Sequence, residues 1–287
     1  MSGRKIGINV RISIGAMVAL FAATVLLAGD TESTPFPGVR YVHRHVTEPR
    51  QIDMHIVLVD LNRSGVKIIT TGPNNDPDTH TDFETTRQFV KRTGAQIGIN
   101  GGFFGYNRKA IDTGKGNLCS LAVSDGRMIC GWGHNQHDAV NIGADKTVTF
   151  VRRAKDDQTG STTDPEVELY NAIAGNVRLI DNGKILAKGG NPTYPQTAVG
   201  HTADHRLILF VSDGRQPDFS EGMTYEEVAY VLKEFGAVDA IAFDGGGSAT
   251  MVMADGKSGK PRVLNRPSDG KERAVGNNLG VFILEKP

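Results

Sequence analysis

The chain has 287 residues, 39% of them hydrophobic, and 32 basic side chains balance 32 acidic ones. A formal net charge of zero gives no electrostatic basis for nucleic-acid binding, and no Lys/Arg run interleaves with aromatics. Two cysteines are too few for a disulfide scaffold, so a fold of this length rests on an apolar core.

In chain order, the first element stands apart. Arg4, Lys5 and Arg11 precede an apolar run, residues 12–28, that ends in small residues at Ala28-Gly29. Positive charge followed by an apolar stretch is the pattern of an export signal. At about 17 residues the run also reaches the lower limit of a membrane span. Residues 1–29 are read as a cleaved signal peptide or a retained membrane anchor, which sends the body of the protein to the periplasm or beyond. No cysteine follows the run closely, so a lipid anchor is not expected. Residues 30–50, polar and Pro-containing, read as a linker, and residues 51–287 as one domain.

Ile52, Met54, Ile56 and Leu58 alternate as in a half-buried strand, with residues 65–70 expected as its partner. Thr81-Asp-Phe-Glu84 fits a capping box that opens a helix with Phe83, Thr86, Phe89 and Val90 on one face and Gly94 as its stop. A short strand, residues 95–99, then runs into Asn100-Gly-Gly-Phe-Phe104. Asp125-Gly126 signals a hairpin flanked by Cys119 and Cys130, which are read as a disulfide or as two buried thiols. Strands are expected at 139–142, 147–151, 177–180, 184–187, 198–202, 206–212 and 274–284, with an exposed loop at 155–165. Thr224-Tyr-Glu-Glu227 is a second capping box, for a helix with Val228, Val231, Leu232 and Phe235 on one face. The helix stops at Gly236, and the strand 238–243 ends in Asp244-Gly-Gly-Gly-Ser248. The helix–Gly–Ala–strand unit thus occurs twice. The whole reads as α+β: one domain built on a large mixed sheet with a few flanking helices.

Candidate chemistry gathers at strand ends. Asp244 reads either as an Asx-turn residue or as an acid beside a nest of Gly245, Gly246 and Gly247 amides suited to an anion. Asp213-Gly-Arg215 reads as a turn, or as a carboxylate with a guanidinium able to grip phosphate bidentately. Asn100, with Gly101 and Gly102, reads as a turn or as a sugar-hydroxyl contact walled by Phe103 or Phe104. Arg266 and Arg273 lie in a polar loop that offers further positive charge. His134/His137 and His201/His205 have metal-like spacing but no third ligand in sequence, so no metal and no cofactor is assigned. A Gly-x-Ser-x-Gly elbow, a phosphate-binding Walker loop and a dinucleotide fingerprint are all missing from the sequence.

Asn100-Gly-Gly-Phe-Phe104, Asp213-Gly-Arg-Gln216, Ser220-Glu-Gly-Met-Thr224, Asp244-Gly-Gly-Gly-Ser-Ala-Thr250 and Asn265-Arg-Pro-Ser-Asp-Gly270 occur in that order. In this the chain resembles the phosphodiester glycosidase family, which includes the animal "uncovering enzyme", over roughly residues 51–284. One departure is Gln196, where an Arg is expected before Thr197-Ala-Val-Gly200. The resemblance implies a hydrolase that cuts the C1–O bond of a sugar-1-phosphodiester, in cell-envelope or exopolysaccharide metabolism. It implies Asp244 as nucleophile or base and Asp213 as a second carboxylate. Arg215, Arg266 and the Gly245–Gly247 amides would hold phosphate, and Asn100 and Ser248 would orient the sugar. Two rivals remain: a phosphodiesterase that breaks P–O, and a non-catalytic glycan-binding envelope protein. The expected partner is a carbohydrate or sugar phosphate, with membrane association only through the N-terminal segment.

Overall fold

A computed structural model describes residues 30–284, so the expected signal or anchor segment lies outside the described residues. The described chain opens with β1 (Thr31–Phe36), β2 (Val39–Val46), β3 (Ile52–Asp60) and β4 (Val66–Thr70). The two-residue β5 (Thr81–Asp82) precedes α1 (Thr86–Thr93), β6 (Ile97–Asn100), α2 (Arg108–Thr113) and β7 (Lys115–Gly116). Next come β8 (Ala122–Ser124), β9 (Arg127–Cys130), β10 (Asp138–Ile142), β11 (Val148–Arg153), β12 (Thr163–Asp164), β13 (Asn171–Gly175) and β14 (Val177–Asp181). The strands β15 (Lys184–Ile185), β16 (Gln196–Thr202) and β17 (Arg206–Ser212) lead to α3 (Tyr225–Glu234). The chain closes with β18 (Ala237–Ala242), a 3-10 turn (Gly246–Ser248), β19 (Met251–Ala254), β20 (Pro261–Val263) and β21 (Asn278–Ile283).

The fold is mostly β with three helices among the described residues, so the α+β expectation is met only in part, and the single mixed sheet gives way to several antiparallel ones. An eight-stranded sheet has the order β1-β2-β3-β17-β16-β18-β14-β15, a six-stranded one β12-β11-β10-β13-β8-β9, and a five-stranded one β20-β19-β6-β21-β4. Every pairing between these strands is antiparallel. The reason lies in the two helix crossovers, β4–α1–β6 and β17–α3–β18. Each joins two parallel strands, but β21 is inserted in the first pair and β16 in the second, so the parallel strands never touch. The repeated helix–strand unit in the sequence is therefore a repeated split crossover in space.

One apolar cluster joins all three large sheets. It includes Val57 and Leu209 from the first, Val140 and Ile173 from the second, and Ile99, Met251 and Leu279 from the third. A second cluster packs Val228, Val231 and Leu232 of α3 on Ile56, Leu58 and Phe210. At about 1.5–3 kcal/mol for each fully buried aliphatic side chain, this face of α3 is what holds the helix to the sheet. With a helix on one face and two sheets on the other, β3 is buried along nearly its whole length, not half-buried as its alternation suggests.

Three local expectations change. Residues 30–50 are not a linker: β1 and β2 form a hairpin on the sheet edge, where Pro35 is tolerated and a polar outer face misleads composition. Arg44 of that hairpin is buried and reaches Asp30 and Glu234. The strand 66–70 pairs with β21, not with β3. The first capping box is Thr85 with Gln88, because Thr81 and Glu84 are held extended by pairing with Gly116 and Val275. Gly94 does end α1 in the left-handed conformation, and Thr224 with Glu227 caps α3 as expected. Among the described residues no helix is long and apolar enough to cross a membrane.

Candidate active site

Both split crossovers deliver their second strand to the same place. β6 ends in Asn100-Gly-Gly and β18 ends at Ala242, two residues before Asp244, and the two loops bond directly. Asp244 N–H donates to the Gly101 carbonyl at 3.1 Å, and Asn100 Nδ2 donates to the Asp244 carbonyl at 2.7 Å. The other side of the Asn100 amide is also occupied. Its Oδ1 accepts from Thr197 Oγ1 at 2.7 Å and from Thr250 N–H at 3.1 Å. Asn100 is 0% exposed, so it cannot meet a sugar hydroxyl as expected. It is a positioning residue that ties β16, β19 and the Asp244 loop together.

Gly101 and Gly102 are corrected in the same way. Both are buried, and a Cβ would lie 2.2 Å from Asn277 Oδ1 at Gly101 and 2.2 Å from the Ala174 carbonyl at Gly102. They permit close backbone packing and present no surface to a substrate.

The Asp244 carboxyl is an acidic group at this rim. It accepts hydrogen bonds from the Ser248 hydroxyl and the Gly245 N–H and lies within the field of Arg273. Burial pushes its pKa up to about 6 against those stabilising contacts. Ser248 is itself fully buried and close to Arg273 Nη1 at 3.5 Å, so it buttresses Asp244 and does not orient sugar.

Part of the expected nest of amides is already engaged by the protein itself. Gly246 N–H is spent on the Pro195 carbonyl at 2.8 Å, Ser248 N–H on Gly245 at 3.2 Å, and Gly245 N–H on Asp244. The glycines instead let side chains close in. A Cβ at Gly245 would meet the Tyr194 ring at 3.1 Å, at Gly246 the Arg215 guanidinium at 3.1 Å, and at Gly247 Arg273 Nη2 at 2.1 Å. Gly246 also needs its positive φ of 60°. Positive charge at this loop therefore comes from two arginines. Arg215 is exposed, whereas Arg273 is steadied by Asp269 at 2.6 Å and lies over the Tyr106 ring at 4.8 Å.

Asp213 leaves β17 at the same rim as Asp244, with β16 between their strands, a separation of about 10 Å at strand spacing. It is 1% exposed, however, and its carboxylate is taken up by Asn265 Nδ2 at 3.0 Å and Arg266 N–H at 2.9 Å. Burial raises its pKa to about 6. Asp213 therefore clamps the Asn265–Arg266 loop, with both carboxylate oxygens already partnered. The Arg266 guanidinium lies over the Phe219 ring at 5.3 Å. Gln196 is buried and donates to the Met223 carbonyl at 2.9 Å, so this position makes no anion contact here.

Cys119 and Cys130 are free thiols. The hairpin register sets Ala122, not Cys119, opposite Cys130, so the disulfide alternative is not formed, and the buried-thiol alternative is not met either, with Cys119 exposed and Cys130 half-buried. Cys119 is close enough to Asp244 for the carboxylate's charge to add to burial in raising its thiol pKa.

The sequence reading missed Tyr194 and Tyr106 as walls of the loop. Tyr194 hydrogen-bonds Tyr225, which also accepts from Asn176 Nδ2 at 2.6 Å. Three further histidines, His43, His45 and His55, converge on the Asp53 carboxylate between β2 and β3. The spaced pairs form no such group: His137 faces the His134 carbonyl, and His201 faces His205.

The family profile described as phosphodiester glycosidase matches residues 93–282. Over 180 residues the chain is 32% identical to the mouse N-acetylglucosamine-1-phosphodiester alpha-N-acetylglucosaminidase, covering 56% of this chain and 32% of the mouse protein. The human protein of the same name is 29% identical over 187 residues, 59% of this chain and 34% of its own length. The chain thus spans about a third of the length of these curated relatives. Among solved structures, the catalytic domain of the zebrafish N-acetylglucosamine-1-phosphodiester alpha-N-acetylglucosaminidase superposes with a TM-score of 0.64 at 24% identity, covering 89% of this chain and 88% of that one. A Synechocystis protein described as hypothetical gives a TM-score of 0.68 at 15% identity, over 89% of this chain and 64% of that one. At these identities the superpositions establish a shared fold.

Proposed function

The chain belongs to the phosphodiester glycosidase family, and from that premise we propose that it hydrolyses the C1–O bond of a sugar-1-phosphodiester. One observation carries the reading: Asp244, a mostly buried carboxyl at a strand end, sits beside a glycine loop flanked by the Arg215 and Arg273 guanidiniums. In such a substrate the leaving group is a phosphate monoester, already a stable anion. It needs little protonation, so a second carboxylic acid is dispensable, which agrees with Asp213 being committed to the fold. The site must supply a carboxylate at the anomeric carbon and positive charge for the departing phosphate. Asp244 fits the first role, as nucleophile or as base for water. Arg215 and Arg273 fit the second, and the Tyr194 and Tyr106 rings wall the sugar. Export follows from residues 1–29, and an exported enzyme of this class would act on envelope or exopolysaccharide phosphodiesters.

Hydrolysis in ¹⁸O-water tests the reaction. Label on the sugar's C1 hydroxyl is expected. Label on phosphate would make the protein a phosphodiesterase, and no release from any sugar-1-phosphodiester would leave a glycan-binding protein.

The arginines give a separate prediction. Arg215→Ala and Arg273→Ala should each lower kcat/KM for a sugar-1-phosphodiester by about 10²-fold, the worth of one charge-assisted contact to the leaving phosphate. For a p-nitrophenyl glycoside, whose leaving group carries no phosphate, the loss should be much smaller. Equal losses on both substrates would remove the arginines from the phosphate site.

A further inference from the structure

The edge hairpin carries a second cluster of ionisable side chains, outside residues 93–282 that match the family profile and one rim strand beyond Asp213. Cross-strand register sets His43 opposite His55 and His45 opposite Asp53, all on the face of β2 and β3 that also carries Tyr41 and Val57. His43 Nε2 lies 3.0 and 2.9 Å from the two oxygens of Asp53. His55 Nε2 lies 3.2 Å from Oδ1, and His45 Nδ1 lies 3.2 Å from Oδ2. One ligand atom each from His43, Asp53 and His55 falls within 4.8 Å of the others.

From this geometry we infer that His43, Asp53 and His55 bind a divalent transition-metal ion of the zinc type, with one coordination position left open. Ligands of a tetrahedral zinc ion, each about 2.0–2.1 Å from the metal, stand about 3.3 Å from one another. The imidazole-to-carboxylate distances here already approach that edge, and the His43 and His55 rings, stacked in parallel at 4.7 Å, would turn toward the ion to present both lone pairs. Two imidazoles and a carboxylate are the donor set that leaves a position for water or substrate. The outer shell is also in place. The Tyr41 hydroxyl is 2.8 Å from His55 Nδ1, which fixes the ring with Nε2 facing the site. The Asp53 main chain is held by Ser220 Oγ at 3.1 Å and by Asp213 N–H at 3.0 Å. Entry is open, because the His43 side chain is 38% exposed while Asp53 and His55 are buried. His45, stacked on Phe219 at 6.3 Å, borders the open side and touches the same carboxylate oxygen as His43. Three strand spacings, about 14 Å, separate this centre from Asp244, so the ion would not touch the scissile bond.

The test uses the untagged full-length chain, stripped with a chelator and titrated with Zn²⁺ by calorimetry, with Co²⁺ as a spectroscopic probe of coordination. Wild type should bind one equivalent and show the intense visible bands of tetrahedral Co²⁺. His43→Ala, at an exposed ligand whose removal spares the core, should lose that equivalent and the bands while keeping its circular dichroism. Tyr41→Phe should weaken binding by about tenfold, as outer-shell changes do. His201→Ala, at a distant histidine pair, should bind like wild type. Absence of a bound equivalent in wild type, or an unchanged equivalent in His43→Ala, would overturn the inference.

Discussion

Replacing Asp244 with Asn should lower sugar release from a glycosyl-1-phosphodiester by about 10⁴-fold or more, the scale on which loss of a nucleophile or its base is felt. The fold should survive, since an amide keeps the volume of the carboxyl and can still accept from Ser248 or Gly245. The wild-type pH profile belongs to the same prediction. With the carboxyl's pKa at about 6, and the ionised form required for attack or for activating water, kcat/KM should be flat above that pH and fall about tenfold per unit below it.

Stability should move in the opposite sense. The folded pKa of Asp244 is raised from the ordinary 3.8 to about 6. Between those values the folded state keeps a proton on Asp244 that the unfolded state has released, so the contribution of this one group to stability declines as pH climbs from about 4 to about 6 and then levels off. A neutral Asn escapes that decline. The variant should therefore melt no lower than wild type at pH 8, and any advantage should vanish at pH 4. A variant that melts well below wild type at pH 8, or retains near-normal turnover, contradicts the role assigned to Asp244.

Asn100→Ala should be the most destabilising single change at the site, by about 3–5 kcal/mol in chemical denaturation. It strands the Thr250 N–H, the Thr197 hydroxyl and the Asp244 carbonyl at a fully buried position. Residual folded protein should also turn over slowly, by about 10²-fold, because the backbone that aims Asp244 loses its brace. Had Asn100 been a sugar contact, the loss would fall on KM with little change in the unfolding midpoint.

Much of this site was visible in the sequence. An apolar strand ending in an acid and three glycines has few other uses, and Thr224 with Glu227 located the helix that precedes it. Asn100 was found but misassigned. Asn-Gly also suits a turn, and only the pairing of β6 with β19 and β21 buries its amide against Asp244. Arg266 and Arg273 were indistinguishable within one polar loop. In space one guanidinium goes to Phe219 and the other to Gly247. The glycine loop looked like a row of donors because sequence reports missing Cβ atoms but not which carbonyls have claimed the amides. The His43–Asp53–His55 cluster stayed hidden for a simpler reason. Its first histidine fell in residues taken for linker, although alternating Tyr41, His43 and His45 beside Asp53 and His55 is the pattern of a cross-strand cluster.

The Asn100 brace joins residues 144 and 150 positions apart in the chain. Contacts of such high contact order are made late and slowly, after the entropy of closing a long loop has been met. The Asp244 loop is braced only once residues 97–101 and 244–250 have found each other, so the proposed activity would depend on contacts between distant parts of the chain. A chain whose C-terminal third has not yet docked would lack that brace, and on the proposed mechanism it would be chemically silent.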